Sequence, residues 1–264
     1  MKIASLGAGR MASALIRGLV QANVCAAKGI SIADPVASAR EQLASSLGAN
    51  VAATNADAVA GADVVLLCVK PNDVPAALAA CGEGLGGKLL LSIVTGWSIA
   101  ALRKHAAGAR IVRAMPNTPA QVGAGATAYS GDSTATKDDL DLAGRILGAV
   151  GLAVAVPEKQ LDAITGLSGS GPAYVFLVME ALSDGGVAAG LPRPLATQLA
   201  VQTVLGAARL AAETGEHPAL LREAVTSPGG TTAAALAVLE AAALRSAFGD
   251  AVKAAAERAR ELGQ

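Results

Sequence analysis

Apolar residues recur in short blocks through the first 157 positions, and the blocks alternate between two spacings. Residues 2–6 form an apolar run that stops at glycine, and 11–21 continue with apolar positions every three or four residues. That is the pattern of a strand turning into a helix. The pairing recurs at 29–33 with 37–47, at 64–69 with 74–80, and at 88–93 with 99–105. Run 64–69 is apolar at nearly every position, as a central parallel strand covered on both faces must be. Further strands are expected at 111–114, 127–129 and 153–156, with a helix over 138–149. Strands alternating with helices over this length predict an α/β domain with a doubly wound, mostly parallel sheet.

After Pro157 the strand-like runs stop, and Ala- and Leu-rich segments of helical spacing continue to Gln264. Ser170 ahead of Pro172, and Thr231-Thr232, read as helix starts, while Gly190-Leu191-Pro192 reads as a stop and restart. Two domains are therefore expected, 1–157 built on the sheet and 158–264 all-helical. Apolar residues cover more of these helices' circumference than one small bundle hides, so the helical half is expected to bury surface by dimerising.

Composition narrows the partners. Of the 264 residues 53% are hydrophobic but only 2% aromatic, so the core must be built from Ala, Val, Leu and Ile. Twenty-one Lys and Arg balance 21 Asp and Glu, and no basic stretch lies beside aromatics, so nucleic acid is not an expected partner. A mean hydropathy of +0.48 raises the question of a membrane, but a spanning helix needs roughly 20 apolar residues in a row. The uncharged run 163–179 is broken by Gly166, Gly169, Gly171 and Pro172, so no membrane span is expected. The chain enters its first strand within a few residues of Met1, which leaves no room for a signal peptide and makes the cytoplasm the expected location. Cys25, Cys68 and Cys81 show no C-x-x-C spacing, and His105 and His217 are the two histidines; neither a disulfide framework nor a metal site is expected.

Candidate chemistry begins at Gly7-Ala8-Gly9-Arg10-Met11-Ala12. Between a strand and a helix, such a turn lets the backbone approach a pyrophosphate, whose charge meets the amides at the helix start. Asp34 stands about 22 residues beyond Ala12, where an acidic side chain can accept from the ribose 2′-hydroxyl of NAD. Capping of the next helix is the competing reading. Lys70, in Val69-Lys70-Pro71, puts a cation at the carboxyl end of a central strand, where ligands of open α/β sheets bind; a solvated strand-end lysine is the alternative. Residues 165–172 and 227–232 are both rich in glycine and hydroxyls and each leads into a helix. Both are expected to present free backbone amides to an anion such as a substrate carboxylate. Trp97, Phe176 and Phe248 are expected in the core or an interface, and Arg193 as a surface charge.

Taken in order, these segments resemble the pyrroline-5-carboxylate reductase family over essentially the whole chain. The resemblance rests on the glycine turn, Val69-Lys70-Pro71, Arg113-Ala114-Met115-Pro116-Asn117-Thr118-Pro119, residues 165–174, Gly190-Leu191-Pro192-Arg193 and residues 227–232; the two stretches of the helical half carry most of its specificity. It implies a Rossmann-type domain followed by an all-α dimerisation domain that interlocks with a second subunit, in a homodimer or an oligomer of dimers. The implied activity is the NAD(P)H-dependent reduction of L-1-pyrroline-5-carboxylate to L-proline, the last step of proline biosynthesis. By the same resemblance the cofactor lies on Leu6, Gly7, Ala8, Gly9, Arg10 and Met11, on Asp34 and Asn55 near the adenosine ribose, on Val69, Lys70 and Pro71, and near Thr95 and Gly96. The substrate falls to Glu158, Gly229, Gly230, Thr231 and Thr232, with Thr232 bonded to the ring nitrogen and relaying a proton. The resemblance points to NADPH, whereas Asp34 points to NADH. A reductase of a related imine or of a hydroxy or keto acid, and a non-catalytic NAD(P)-sensing dimer, are the rival readings. Hydroxyacid dehydrogenases of this plan use a lysine at a glycine-rich helix start, and neither Lys159 nor Lys253 lies in one.

Overall fold

The computed structural model describes residues 1–263. Its centre is an eight-stranded sheet of β1 (Ile3–Leu6), β2 (Ile30–Ala33), β3 (Asn50–Val51), β4 (Val64–Leu67), β5 (Leu89–Ser92), β6 (Arg110–Met115), β7 (Gly125–Gly131) and β8 (Gly151–Ala155), in spatial order β3-β2-β1-β4-β5-β6-β7-β8. Neighbours run parallel except β6 and β7, which are antiparallel. The helices of this region are α1 (Arg10–Gln21), α2 (Ala37–Leu47), α3 (Asn55–Ala60), α4 (Val74–Ala79), α5 (Ile99–His105) and α6 (Lys137–Gly148).

Alternate residues of each central strand enter different cores. Ile3, Val64, Leu66, Leu89 and Leu91 pack with Leu15, Ile16 and Leu19 of α1. Ala4, Leu6, Val65, Leu67 and Leu90 pack with Val59 of α3, Leu78 of α4 and Leu102 of α5. Each such Leu or Ile, taken fully out of water, contributes about 1.5–3 kcal/mol, and this two-sided burial explains why these strands lack alternation. In register, Leu6 lies opposite both Ala33 and Leu67, so β1, β2 and β4 end level. The strand order reverses between β1 and β4, which opens a crevice at their carboxyl ends.

Two elements are absent from the apolar pattern. β3 has two residues, both exposed, and α3 has six, too few to show a period. The start of α3 is nonetheless written locally, because Thr54 and Asp57 form a reciprocal capping box.

The glycine-rich stretch after residue 164 departs from the expectation of an open, amide-presenting loop. Helix α7 (Leu161–Ile164) continues through a π-turn over Thr165–Gly169 into α8 (Gly171–Ala188). The amide of Ser170 donates to the Thr165 carbonyl at 2.8 Å, and Asn117 Nδ2 donates to the Ser168 carbonyl at 3.0 Å. A Cβ on Gly169 would lie 2.8 Å from Met115 Cε. Close packing on the end of β6 therefore accounts for that glycine.

By compactness the chain forms two units, 1–170 with the chain from Lys253 onward, and 171–252. The sheet unit thus runs past Pro157, because Leu161 is fully buried and Arg113 of β6 pairs with Glu158 at 3.1 Å and Asp162 at 3.3 Å. The helical unit holds α8, α9 (Arg193–Thr214), α10 (Pro218–Ala224), α11 (Thr231–Ala241) and the start of α12 (Leu244–Leu262). Arg193 is more than a surface charge: its Nη1 donates to Ser183 Oγ at 3.0 Å and pairs with Asp184 at 2.6 Å, and Ser183 also bonds Thr197 at 2.8 Å. This cluster ties the start of α9 to α8. Among the described residues of α8 to α11, Ser183, Ala196 and Ala200 are buried, while Phe176 is 56% and Leu177 65% exposed within one chain. No single helix among the described residues is long and apolar enough to cross a membrane.

Asp139 anchors α6 to the sheet. It completes a capping box with Thr136 and accepts from Arg110 Nε at 2.7 Å and Nη2 at 3.1 Å. Burial alone raises its pKa, but the hydrogen bonds from Arg110 and Thr136, with the Arg110 charge, hold the carboxyl below its ordinary 3.8. A folded-state pKa below the unfolded one means that this stabilisation is full above pH 3.8 and is lost as pH falls through the folded value. Asp139→Asn should lower stability at pH 7 by about 2 kcal/mol, read from urea midpoints, and the gap to wild type should narrow as pH falls below 3.8 and close once pH is below the depressed folded value. A gap unchanged in acid would refute the assignment.

Candidate active site

The crevice is set by Gly7. Its φ of +108° lies in the region that favours glycine, and a Cβ there would stand 2.6 Å from the Cys68 carbonyl oxygen. Its amide donates to the Ala33 carbonyl at 2.8 Å, and the Cys68 amide donates to the Leu6 carbonyl at 2.9 Å. The end of β1 is thereby locked between the ends of β2 and β4. Gly9 differs, for a Cβ on it would meet nothing within 4 Å. It is the N-cap of α1, with no side-chain cap and no acidic residue in the first turn. Amides at such a start lack intrahelical partners, and the open space before them fits the pyrophosphate of a dinucleotide.

A cleft of about 650 Å³ runs from this turn, lined by Gly7, Ala8 and Gly9, by Asp34, Pro35 and Val36 after β2, by Thr54 and Asn55 at the start of α3, and by Val69 and Lys70 after β4. A second hollow of about 230 Å³ is lined by Met11, Val69, Pro71, Thr95, Met115 and Pro116. The two share Cys68 and Val69, so they form one trough along the strand ends. Most of the residues expected to hold a cofactor meet here. Leu6 is fully buried, so only its backbone reaches the turn, and Gly96 and the exposed Arg10 lie outside the residues lining either hollow.

Several side chains are committed to the scaffold as well. Asp34 Oδ2 accepts from the Ala8 amide and Oδ1 from the Val36 amide, both at 2.8 Å, so its carboxylate braces the glycine turn. The N-cap of α2 is Val36, without a side-chain cap. Asn55 Nδ2 donates to the Ala77 carbonyl at 2.9 Å, joining α3 to α4. Lys70 is exposed, and its ammonium has no protein partner among the described residues. Thr95 Oγ1 donates to Met115 Sδ at 3.7 Å, and Trp97 Nε1 to the Pro71 carbonyl at 3.0 Å. Sequence reasoning missed Thr54 and Cys68 as trough walls; the capping box was the available signal for Thr54. Burial pushes the Cys68 thiol up to about 12, against a smaller opposing effect of its hydrogen bond with Ser5. It is a neutral wall of the trough.

Glu158 lies outside the residues lining the trough. Its Oε1 accepts from the Ile99 amide at 2.7 Å and from Arg113 Nη1 at 3.1 Å, which places a negative charge at the start of α5, where a helix favours one.

In the helical unit, residues 227–230 turn tightly. The Gly230 amide donates to the Ser227 carbonyl at 3.0 Å, Gly229 has φ +68°, and a side chain on Gly230 would strike Ser227 Oγ. Gly230 is the N-cap of α11, again with no side-chain cap and no acid in the first turn. The hydroxyls of Thr231 and Thr232 have no protein partner among the described residues. Gly229, Gly230, Thr231 and Thr232 therefore converge on one bare helix start, equipped to receive a carboxylate and to donate one further hydrogen bond.

Sheet order, glycine turn and trough together define a dinucleotide-binding oxidoreductase. Residues 2–96 match the family model described as NADP oxidoreductase, coenzyme F420-dependent, and residues 158–262 match that of pyrroline-5-carboxylate reductase dimerisation. The chain is 46% identical over 264 residues to a pyrroline-5-carboxylate reductase of Synechocystis, covering 100% of this chain and 99% of the relative. It superposes with TM-score 0.94 and 40% identity on a solved pyrroline-5-carboxylate reductase from Coxiella burnetii, covering 100% of this chain and 98% of the other. A Plasmodium falciparum pyrroline carboxylate reductase solved with NADP bound gives TM-score 0.89 and 31% identity, with coverage of 100% and 98%. The chain belongs to the pyrroline-5-carboxylate reductase family.

Removing the charge of Glu158 should loosen α5 and leave Arg113 with Asp162 alone. Glu158→Gln is expected to cost about 1–3 kcal/mol of stability in the ligand-free protein, read by urea unfolding; an unchanged midpoint would show that the tie carries no load.

Proposed function

We propose that the chain reduces L-1-pyrroline-5-carboxylate to L-proline with NADPH or NADH. The observation that carries this reading is the bare, glycine-capped start of α11 with its two unpartnered threonine hydroxyls, in a chain whose full length matches pyrroline-5-carboxylate reductases. The nicotinamide supplies a hydride to the imine carbon. A cyclic imine protonated on nitrogen is already electrophilic at that carbon, so the protein's task is placement and charge complementarity more than strong acid or base chemistry.

On this reading the amides at the start of α1 hold the pyrophosphate, Met11, Thr95 and Gly96 border the nicotinamide end, and Asp34, Asn55 and Lys70 border the adenosine end. The amides of Gly229, Gly230 and Thr231 hold the substrate carboxylate, and Thr232 Oγ1 keeps the ring nitrogen oriented while its proton is exchanged. Glu158, bonded to the Ile99 amide and to Arg113, serves as the brace of the α5 start. Each Asp34 oxygen accepts one backbone amide and has capacity for another donor, so the carboxylate suits a ribose 2′-hydroxyl and repels a 2′-phosphate. NADP in the Plasmodium falciparum relative speaks for the phosphorylated cofactor, and the proposal is that this chain accepts both. The exposed apolar faces of α8 and α9, within a segment matching a dimerisation model, support a homodimer as the working unit.

The test follows the loss of NADPH or NADH absorbance on adding pyrroline-5-carboxylate, with proline measured as product. Turnover with both cofactors is expected, and Thr232→Ala should lower kcat about a hundredfold. Absence of turnover with either cofactor contradicts the function, and near-normal turnover by the variant contradicts the role of Thr232.

A further inference from the structure

The loop from Thr95 to Trp97 is gripped from three directions. Thr95 is bonded to Met115 at the end of β6, and Trp97 to the Pro71 carbonyl after β4. The third contact comes from the far end of the chain. Gly96 has φ +78°, and a Cβ on it would stand 3.0 Å from the Leu262 carbonyl oxygen and 3.3 Å from Leu262 Cβ. A Cβ on Gly263 would in turn stand 3.5 Å from the Gly96 carbonyl oxygen, so two glycine backbones lie face to face with no side chain between them. The approach is supported along the helix, since Ala256 and Ala259 are buried while most of α12 is exposed. The chain from Lys253 onward is compact with the sheet unit, although α12 starts in the helical unit at Leu244.

We infer that the last turn of α12 is a positioning element for the nicotinamide-side loop, with Leu262 and Gly263 forming the backstop that fixes Thr95 and Gly96 for cofactor binding. The inference rests on the proposed placement of the cofactor along the trough. Its physical basis is steric. Thr95 lines the smaller hollow, and a left-handed glycine beside it, open to solvent, has broad conformational freedom. Contact with Leu262 removes part of that freedom, so ordering the loop is already complete when the cofactor arrives, and binding loses less entropy. Glycine at 96 is then required twice, by its φ and by the approach of the helix end.

The experiment compares the full chain with a chain ending at Glu261, which keeps the Arg258–Glu261 pair, and with a chain ending at Gly263 as the control for a moved terminal carboxylate. NADPH and NADH are titrated into each ligand-free protein, followed by calorimetry or nicotinamide fluorescence. The chain ending at Glu261 is expected to bind about fivefold more weakly, with the KM for the cofactor raised in step, while the KM for pyrroline-5-carboxylate, the urea midpoint and the dimer elution volume match the control. Gly96→Ala is placed in both backgrounds. Its penalty should be several-fold larger in the full chain, where the added Cβ meets Leu262, than in the chain ending at Glu261, where left-handed strain alone remains. Equal cofactor affinity with and without residues 262–264, or an equal Gly96→Ala penalty in both backgrounds, overturns the inference while leaving the cofactor site standing. Failure of the full chain to bind either nucleotide overturns both.

Discussion

The contact between the Gly7 backbone and the Cys68 carbonyl is the constraint on which the rest of the trough depends. It allows β1 to end against β4 without a side chain between them, and so permits the chain to turn at once into α1. Flush strand ends, an opening at the reversal of strand order and a helix start aimed into it all follow from that turn. Asp34 reinforces it from the β2 side through the Ala8 amide. The dual load on Asp34 explains why an acidic side chain there serves the turn whichever nucleotide is bound.

The same physical device recurs in the helical unit. Helices α3, α5 and α6 satisfy their own starts with Thr54, Ser98 and Thr136. Helices α1 and α11 start at glycine and have no side-chain cap or first-turn acid. A glycine start gives up only a few tenths of a kcal/mol relative to a hydroxyl or carboxylate cap, and it leaves amides free for an anionic group that belongs to something else. One such start suits a pyrophosphate, the other a carboxylate, and the proposed reaction needs both.

Legibility in the sequence followed burial and locality. Strands β1, β2, β4 and β5 were readable because both faces are buried, which makes them nearly continuous apolar runs. β3 and α3 are too short to carry a period. The stretch 165–172 misled because glycine has two uses: there it admits Met115 against a π-turn, whereas at 229–230 it bares a helix start, and composition alone does not separate the two. The glycine turn and the bare helix start before α11 were legible as candidates, since each is a contiguous segment. Glu158 bonded to the Ile99 amide, and Leu262 against Gly96, join residues far apart in the chain, and such contacts leave no local pattern.

Gly7 and Gly9 separate the two demands on the turn, one made by the fold and the other by the ligand. Position 9 has an ordinary φ of −69° and open space around a Cβ, so alanine there should fold as well as glycine yet occupy the pyrophosphate's place. The most direct test is therefore the affinity of Gly9→Ala for NADPH and NADH, measured beside its urea unfolding curve. The account predicts an unfolding midpoint within error of wild type and cofactor binding weakened at least tenfold, about 1.4 kcal/mol. Wild-type affinity in that variant would contradict it.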